Sequence, residues 1–394
     1  MSVQVSYKNQ ILFFIIFIFI ILILIEIVSH IYEEFNNPSC KFLKKDAYQN
    51  IDLLTQYSMC YQYQLIEYLI PPQENSPHLS LRPNLHFSHV NINNFGFRGD
   101  DISIEKPKDT YRIFVVGGST VFGFVSLNDN TTISGYLENY LKKDFSYDVE
   151  VINAGISWAD SIVEKELIKN KLIQFDPDMI ILYDGWNDAN HRTYEDGRNG
   201  VSIDWEKEPD ELKKGTGILT KVIQTFPFYR TPFFISNIIS DINIISDINI
   251  ISDINIKSTD NFKSEVKNQN MPELKKKINL SWNKNIEEVC DFAKKNNFEL
   301  IVVLQPILGT SQKIFSDDEE YNFQHLDVHH QETLEIINSL KFNGSSNCSL
   351  TLDLKNIFDN NPVPIFYDSG HMNDEGNKII ATKIFDNIKL LMQK

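Results

Sequence analysis

Hydrophobic and polar residues alternate along the chain in two kinds of block. Short, nearly continuous apolar runs predict buried strands at 111–117, 148–155, 177–185, 298–306 and 348–354. Apolar residues at helical spacing predict helices at 132–145, 160–175, 282–297 and 373–394. Strands that alternate with helices in this way build a parallel sheet with helices on both faces. The pattern therefore predicts an α/β fold for the greater part of the chain.

One apolar stretch near the N-terminus is too long for a strand. Residues 11–28 are apolar except for Glu26, and their length is close to the ~20 residues that span a bilayer. No small-residue cleavage site follows them, so we predict an uncleaved transmembrane helix. A cleaved signal sequence and a buried core helix are the alternatives. Lys8 before the stretch and the acidic Glu33 and Glu34 after it favour an N-terminus inside the cell. This orientation predicts a single-pass protein of the cell membrane whose main domain is extracytoplasmic.

The predicted elements divide the chain into three parts. Residues 1–31 are predicted to form a short cytoplasmic tail and the membrane helix. Residues 32–108 then form a juxtamembrane stalk and entry segment that leads into the main domain, 109–394. The alternation of strands and helices stops at about 191–279, which we interpret as an insertion. Within it, 238–255 repeats the unit IISDIN three times. A six-residue period in so few copies builds no solenoid, so duplication at the gene level explains the repeat better than a function does.

Charge and cysteine content exclude several classes of function. The formal net charge is −16, whereas binding of nucleic acid phosphates needs a basic surface. The four cysteines are scattered, so neither a C-x-x-C redox motif nor a cysteine zinc site is expected. Outside the cytoplasm, Cys40 could pair with Cys60 and Cys290 with Cys348. Free buried thiols are an equal alternative for both pairs.

A histidine pair offers the one pattern typical of a metal ligand set. His325 and His329 are four residues apart and would share one face of a helix. The stretch lacks the glutamate of the H-E-x-x-H motif, so we predict no metal site there.

The stretch FVVGGSTVFGF, residues 114–124, carries the first candidate chemistry. Gly118 and Gly123 have the spacing of a phosphate-binding P-loop, but Phe124 stands where that loop needs its lysine. Ser119 also breaks the glycine pattern of a dinucleotide-binding turn. A nucleophilic serine at the end of the first buried strand is the better interpretation, and a structural helix cap is the simplest alternative.

A serine nucleophile needs a base, and the motif DSGH supplies one. Asp368 precedes His371 by three residues in the loop before the last helix. Asp368 can orient the imidazole of His371, which then takes the proton of Ser119. Oxyanion donors are expected at two further strand ends, from the N–H of Gly155 and the side-chain amide of Asn187, together with the N–H of Ser119.

In order and position, the candidate residues resemble the blocks of the SGNH hydrolases, also called the GDSL family: Ser119, Gly155, Asn187 and, together, Asp368 and His371. The resemblance covers about 94–394, including the stretch NNFGFRG before the first block. Gly118 stands where the best-known motif has aspartate, a position outside the triad. The resemblance implies a three-layer α/β/α sandwich with a mainly parallel, flavodoxin-like sheet. It also implies catalysis without a metal or an organic cofactor.

The resemblance implies an activity as well. Ser119 would attack an acyl ester, with His371 as general base and then general acid, and water would release the acid. We expect a serine esterase or deacetylase that acts on acylated, foremost acetylated, glycans or lipids of the cell envelope. An O-acyltransferase that modifies an extracytoplasmic polysaccharide with the same triad is the alternative, and a non-catalytic glycan-binding protein is a second. The oligomeric state stays open.

Overall fold

The computed structural model describes residues 6–36, 46–48, 51, 81, 83–86, 89–191, 193–194, 197–198, 270–343 and 347–393. The N-terminal helix belongs to one compact unit and the sheet with its helices to another, and each is described by itself. The helices are α1 (Tyr7–Asn36), α2 (Ser119–Phe122), α3 (Ile133–Asp144), α4 (Ser161–Asn170), α5 (Trp186–His191), α6 (Met271–Lys295), α7 (Asp317–Gln324), α8 (Val328–Ser339) and α9 (Asp374–Met392). The strands are β1 (Leu85–His86), β2 (Asn91–Ile92), β3 (Thr110–Gly117), β4 (Asp148–Gly155), β5 (Met179–Asp184), β6 (Thr193–Tyr194), β7 (Gly197–Arg198), β8 (Glu299–Leu304) and β9 (Leu350–Asp353).

Helix α1 contains the predicted membrane segment. Its window Tyr7–Leu24 has a mean hydropathy of 2.3 and is not buried. In the described part of the chain it is the one helix that is long and apolar enough to cross a membrane. A signal sequence near the N-terminus has the same length and composition.

Five parallel strands form the central sheet, in the order β4–β3–β5–β8–β9. Counted along the chain, this is the flavodoxin-like order 2-1-3-4-5. The register aligns Gly117 at the end of β3 with Gly155 at the end of β4 and with Tyr183 near the end of β5. The carboxyl ends of these strands therefore meet at one edge of the sheet. The predicted α/β/α fold class is confirmed.

Different helices cover the two faces of the sheet. Along β3, Ile113 and Val115 belong to the core shared with α3 and α9, whereas Phe114 and Val116 belong to the core shared with α4, α6 and α8. All four side chains are fully buried. A strand that is buried on both faces has a continuous apolar sequence, which is why the pattern predicts it.

Helix α6 begins at Met271, well before the predicted helix 282–297. Pro272 lies in its first turn, where the missing N–H would have no helical partner. Ile278 and Trp282, four residues apart, are fully buried on its inner face. A run of lysines between the apolar positions hides this face in the sequence pattern.

Described residues at the end of the predicted stalk pack onto the domain that holds the sheet. Leu81, Val90 and Ile92 form a buried cluster with Phe122 of α2. Short antiparallel strands β1 and β2 pair within the same stretch. The described residues of this stretch, including Arg98, which bridges to Asn153 of β4, therefore pack against the folded domain.

Cys290 and Cys348 form a disulfide, with their Cα atoms 4.8 Å apart. The bond joins the last part of α6 to the residues before β9. Of the two alternatives for this pair, a disulfide or free buried thiols, the structure has the disulfide. Cys40 and Cys60 lie outside the described residues. The repeat 238–255 and most of the insertion predicted at 191–279 also lie outside them.

Candidate active site

Ser119 lies at the carboxyl edge of the sheet, at the start of a single helical turn. Strand β3 ends at Gly117, and Ser119 is the first residue of α2, so its N–H has no partner within the helix. Gly118, between them, packs closely against Asn187. A side chain at position 118 would place its Cβ 2.4 Å from Asn187 Nδ2, which is too close unless the Asn187 amide shifts. The glycine before the serine is therefore explained by the close approach of the residues that follow β5.

The structure brings Ser119, His371 and Asp368 into one hydrogen-bonded chain. Ser119 Oγ lies 2.8 Å from His371 Nε2, and His371 Nδ1 lies 2.8 Å from Asp368 Oδ2. The other oxygen of Asp368 accepts the N–H groups of Gly370 and His371, each at 2.8 Å. The carboxylate thus orients both the imidazole and the loop that carries it. An activated serine nucleophile requires this arrangement.

Asp368 and His371 influence each other's proton affinity. Partial burial by itself lowers the pKa of His371, but the Asp368 carboxylate outweighs this effect and holds that pKa above its ordinary value. Partial burial by itself raises the pKa of Asp368, but His371 and the two N–H donors hold it below its usual range. The side chains of Asp368 and His371 are 41% and 22% exposed. Asp368 is therefore ionised throughout the pH range in which His371 titrates.

The two predicted oxyanion donors beyond Ser119 are placed differently. Asn187, the second residue of α5, donates through Nδ2 to Ala159 O at 2.5 Å, and its other amide hydrogen has no partner among the described residues. Gly155 donates its N–H to Asn153 Oδ1 at 3.0 Å, so this donor is already engaged. Close packing accounts for the glycine, since a Cβ at position 155 would lie 2.1 Å from Phe122 N. The N–H of Gly155 is the expected oxyanion donor, but in this structure it is bonded to Asn153 Oδ1.

Two buried residues that the sequence analysis did not single out hold α2 in place. Asn153 Nδ2 donates to Val121 O at 2.7 Å. Arg98 Nη1 donates to Phe122 O and Gly123 O at 2.9 and 2.8 Å. These bonds satisfy carbonyl groups at the end of the helix, where helical partners are lacking. Arg98 belongs to the stretch NNFGFRG, but that stretch does not indicate that its guanidinium reaches α2.

Three buried carboxyl groups, those of Glu164, Asp184 and Asp188, lie in or close to the elements that carry the candidate site, and Asp188 directly follows Asn187 in the chain. Asp188 accepts the N–H and the hydroxyl of Ser161 at 2.9 and 2.5 Å. Both carboxyl oxygens of Glu164 are buried and make no hydrogen bond within the described residues. Burial raises the pKa of Glu164 well above its ordinary value and the pKa of Asp184 to about 6. These groups therefore keep their protons to a higher pH than exposed carboxyl groups do.

The two histidines do not share one face of a helix, which corrects the expectation from their spacing. Asp327 caps α8 by accepting the N–H of His330 at 2.8 Å, which separates α8 from α7. His325 follows the end of α7, and His329 lies in α8. Within the residues that the structure describes, no group of three or more histidine, cysteine or acidic side chains is arranged to hold a metal ion.

Comparison with known proteins adds a family and a set of similar structures. The family model described as GDSL-like Lipase/Acylhydrolase matches residues 113–384, more than half of the chain. The comparison with curated proteins yields no match. A solved acetylxylan esterase from Geobacillus stearothermophilus shares 13% identity at a TM-score of 0.34, over 72% of this chain and 96% of that one. LAE5, an alpha/beta hydrolase enzyme from the metagenome of Lake Arreo, Spain, shares 13% identity at a TM-score of 0.35, over 70% of this chain and 94% of that one.

Proposed function

The chain belongs to the GDSL-like lipase/acylhydrolase family, and from that premise we propose that it removes acyl groups, foremost acetyl groups, through an acyl-enzyme at Ser119. Membership of the family makes the chain an ester-hydrolysing enzyme. The observation that carries the catalytic proposal is the unbroken chain of hydrogen bonds from Ser119 through His371 to Asp368, with 2.8 Å at each step.

In the first half-reaction, Ser119 Oγ attacks the carbonyl carbon of the ester while His371 Nε2 takes the hydroxyl proton. Asp368 stabilises the resulting imidazolium through its bond to Nδ1. The tetrahedral intermediate then collapses, and the bond between the carbonyl carbon and the alcohol oxygen breaks. His371 returns its proton to that oxygen. The alcohol leaves, and the acyl group remains as an ester of Ser119.

In the second half-reaction, a water molecule takes the place of the alcohol. His371 accepts a proton from the water, whose oxygen attacks the acyl carbon. The new tetrahedral intermediate collapses, the bond between the acyl carbon and Ser119 Oγ breaks, and His371 returns the proton to Oγ. The carboxylic acid leaves, and the enzyme is restored.

Negative charge on the carbonyl oxygen needs donors in both half-reactions. The Ser119 N–H at the start of α2 and the second amide hydrogen of Asn187 are the two that the proposal uses. Gly155 adds a third only if its N–H leaves Asn153 Oδ1.

We also propose where the enzyme acts. Helix α1 has the length and composition of a membrane anchor, and the charges that flank it favour an extracytoplasmic catalytic domain. The substrates are then acyl esters on glycans or lipids of the cell envelope. Alkaline phosphatase fused after Lys394 should be active and a fused green fluorescent protein dark, and the opposite result would reverse the orientation.

The function is tested with p-nitrophenyl acetate. The wild type should release nitrophenol, Ser119→Ala should lose at least about 10⁴-fold in kcat, and Ser103→Ala should match the wild type. Ser103 is a suitable control because, within the described residues, its exposed hydroxyl bonds only to the nearby carbonyl of Glu105. Activity that survives Ser119→Ala would refute the mechanism. The same assay with an added polysaccharide acceptor measures acetate release and acetyl transfer together, and transfer that exceeds hydrolysis would identify an acyltransferase instead.

A further inference from the structure

Trp158 combines two features that a purely structural residue does not need. Its side chain is 57% exposed, and its backbone has a φ of 66°, in the left-handed region that favours glycine. A bulky residue is strained there, and a side chain that stays 57% exposed offsets that strain only in part by burial. Strain of this kind is typical of binding and catalytic sites. Trp158 therefore calls for a functional explanation.

The loop that carries Trp158 is fixed to the active site at both ends. Its first residue, Ile156, donates its N–H to Gly117 O at 2.9 Å, just before the nucleophile. Its last residue, Ala159, accepts a hydrogen bond from Asn187 Nδ2 at 2.5 Å. Trp158 thus lies at the edge of the site, on the side of β4.

Two indole rings border the site, each supported by a histidine. Trp158 stacks on the buried His191, with ring centroids 5.9 Å apart and planes 23° apart, while 57% of the Trp158 side chain stays exposed. Trp186 stacks on His330, with ring centroids 6.0 Å apart and planes 28° apart. The indole of Trp186 also lies beside the catalytic loop, because a Cβ on Gly370 would be 3.4 Å from Trp186 Cε2.

Building on the proposed function, we infer that Trp158 and Trp186 form a stacking surface for sugar rings, so the substrate is an O-acylated carbohydrate. A pyranose ring has a face of C–H groups that packs on an indole, and hydroxyl groups at its edge that bind polar residues. A fatty acyl chain needs a continuous aliphatic groove instead. Here each ring stacks on a histidine, and His330 itself bonds to Asp327 at 2.8 Å. Trp186 also packs against the apolar core of the domain. The site is therefore better suited to a glycan than to a lipid.

The test compares esters with and without a sugar. Wild type, Trp158→Ala, Trp158→Phe and Trp186→Ala are assayed on p-nitrophenyl acetate, on p-nitrophenyl octanoate and on O-acetylated cello-, xylo- and manno-oligosaccharides. Each alanine variant should lose roughly tenfold more kcat/KM on its best oligosaccharide than on p-nitrophenyl acetate, mainly through KM. Trp158→Phe should keep most of the preference, because it keeps an aromatic face.

Tyr321→Ala is the matched control. Tyr321 is 60% exposed and stacks on His325, with ring centroids 4.1 Å apart, so it has the same kind of support as Trp158. Its replacement should leave the preference for oligosaccharides unchanged. Equal losses on all substrates would make the tryptophans structural residues, and a larger loss on the octanoate would indicate a lipid. Either result overturns the inference.

Two further readouts separate this inference from the proposed function. Trp158→Gly should raise the thermal unfolding midpoint, because glycine relieves the left-handed strain, while the preference for oligosaccharides falls. Calorimetry of the unacetylated oligosaccharides with Ser119→Ala protein measures binding without turnover. The double variant Ser119→Ala with Trp158→Ala should bind them more weakly. No binding, or an unchanged affinity, overturns the stacking surface even when hydrolysis of p-nitrophenyl acetate depends on Ser119. If hydrolysis of p-nitrophenyl acetate does not depend on Ser119 but the oligosaccharides still bind, the proposed catalytic mechanism is overturned and the stacking surface is not.

Discussion

Replacing Glu319 by alanine tests how the catalytic loop is held. Glu319 Oε2 and Lys313 Nζ are 2.6 Å apart, and the two side chains are 1% and 0% exposed. The same carboxylate accepts the N–H groups of Ile365 and Phe366, each at 2.9 Å, and that of Ser316 at 2.9 Å. Ile365 and Phe366 precede Asp368 with only Tyr367 between, so one buried carboxylate anchors the segment that leads to the proposed catalytic base, His371.

The magnitude follows from what alanine leaves behind. Lys313 would lose its ionic partner in the interior, and removal of one partner of a buried pair costs ~3–5 kcal/mol. The N–H groups of Ile365 and Phe366 would also lose their acceptor, at ~1–3 kcal/mol for each buried group, part of which the first figure includes. We therefore expect the free energy of unfolding to fall by about 4–6 kcal/mol. This is a large share of the ~5–15 kcal/mol that is typical of a folded domain.

Urea unfolding followed by circular dichroism measures the loss, and rates on p-nitrophenyl acetate below the transition report the state of the site. Glu320→Ala, at an exposed neighbouring position, is the control and should change the free energy of unfolding by less than ~0.5 kcal/mol. The double variant Lys313→Met with Glu319→Gln removes both charges and should recover much of the stability. A Glu319→Ala protein within about 1 kcal/mol of the wild type would refute the reasoning.

Three more changes test the site and its surroundings. Asp368→Asn removes the main influence that raises the pKa of His371. The acidic limb of the profile of kcat/KM against pH should therefore move to lower pH, and kcat should fall by roughly 10³–10⁴. An acidic limb that stays in place would contradict the coupling between Asp368 and His371. Gly155→Ala places a Cβ 2.1 Å from Phe122 N, so urea unfolding should show a loss of about 3 kcal/mol or more, and unchanged stability would exclude close packing as the reason for glycine. Glu164 has a raised pKa in the folded state, so its effect on stability becomes unfavourable as the pH rises above its ordinary value of 4.5. Glu164→Gln should therefore raise the thermal midpoint at pH 8 but not at pH 4, and equal shifts at both pH values would argue against that pKa.

The sheet and the placement of the triad could be predicted because their signals are short-range. Strands buried on both faces have continuous apolar sequences, as β3 and β5 do. Asp368 and His371 are three residues apart, so a tight loop alone brings them together. Their contact with Ser119 follows from topology, since the ends of parallel strands share one edge of the sheet.

The features that could not be predicted depend on contacts between distant segments. Arg98 reaches the carbonyl groups of α2 from a different part of the chain, and no local pattern indicates that its guanidinium is buried there. The hydrogen bond between Gly155 and Asn153 depends on where a side chain points at the end of a strand. The apolar face at the start of α6 becomes visible only once the sheet that it covers is known. The left-handed backbone of Trp158 is equally hidden, because nothing in the sequence marks a tryptophan for a conformation that suits glycine.

The central claim is that Ser119 carries the acyl group between the two half-reactions. The most direct measurement is mass spectrometry of the protein mixed with p-nitrophenyl acetate, quenched in acid within milliseconds to seconds and mapped by peptide. We expect a single acetyl group on the peptide that contains Ser119, present in the wild type and absent from Ser119→Ala. Acetyl at another residue, or acetate release from Ser119→Ala at the rate of the wild type, would contradict it.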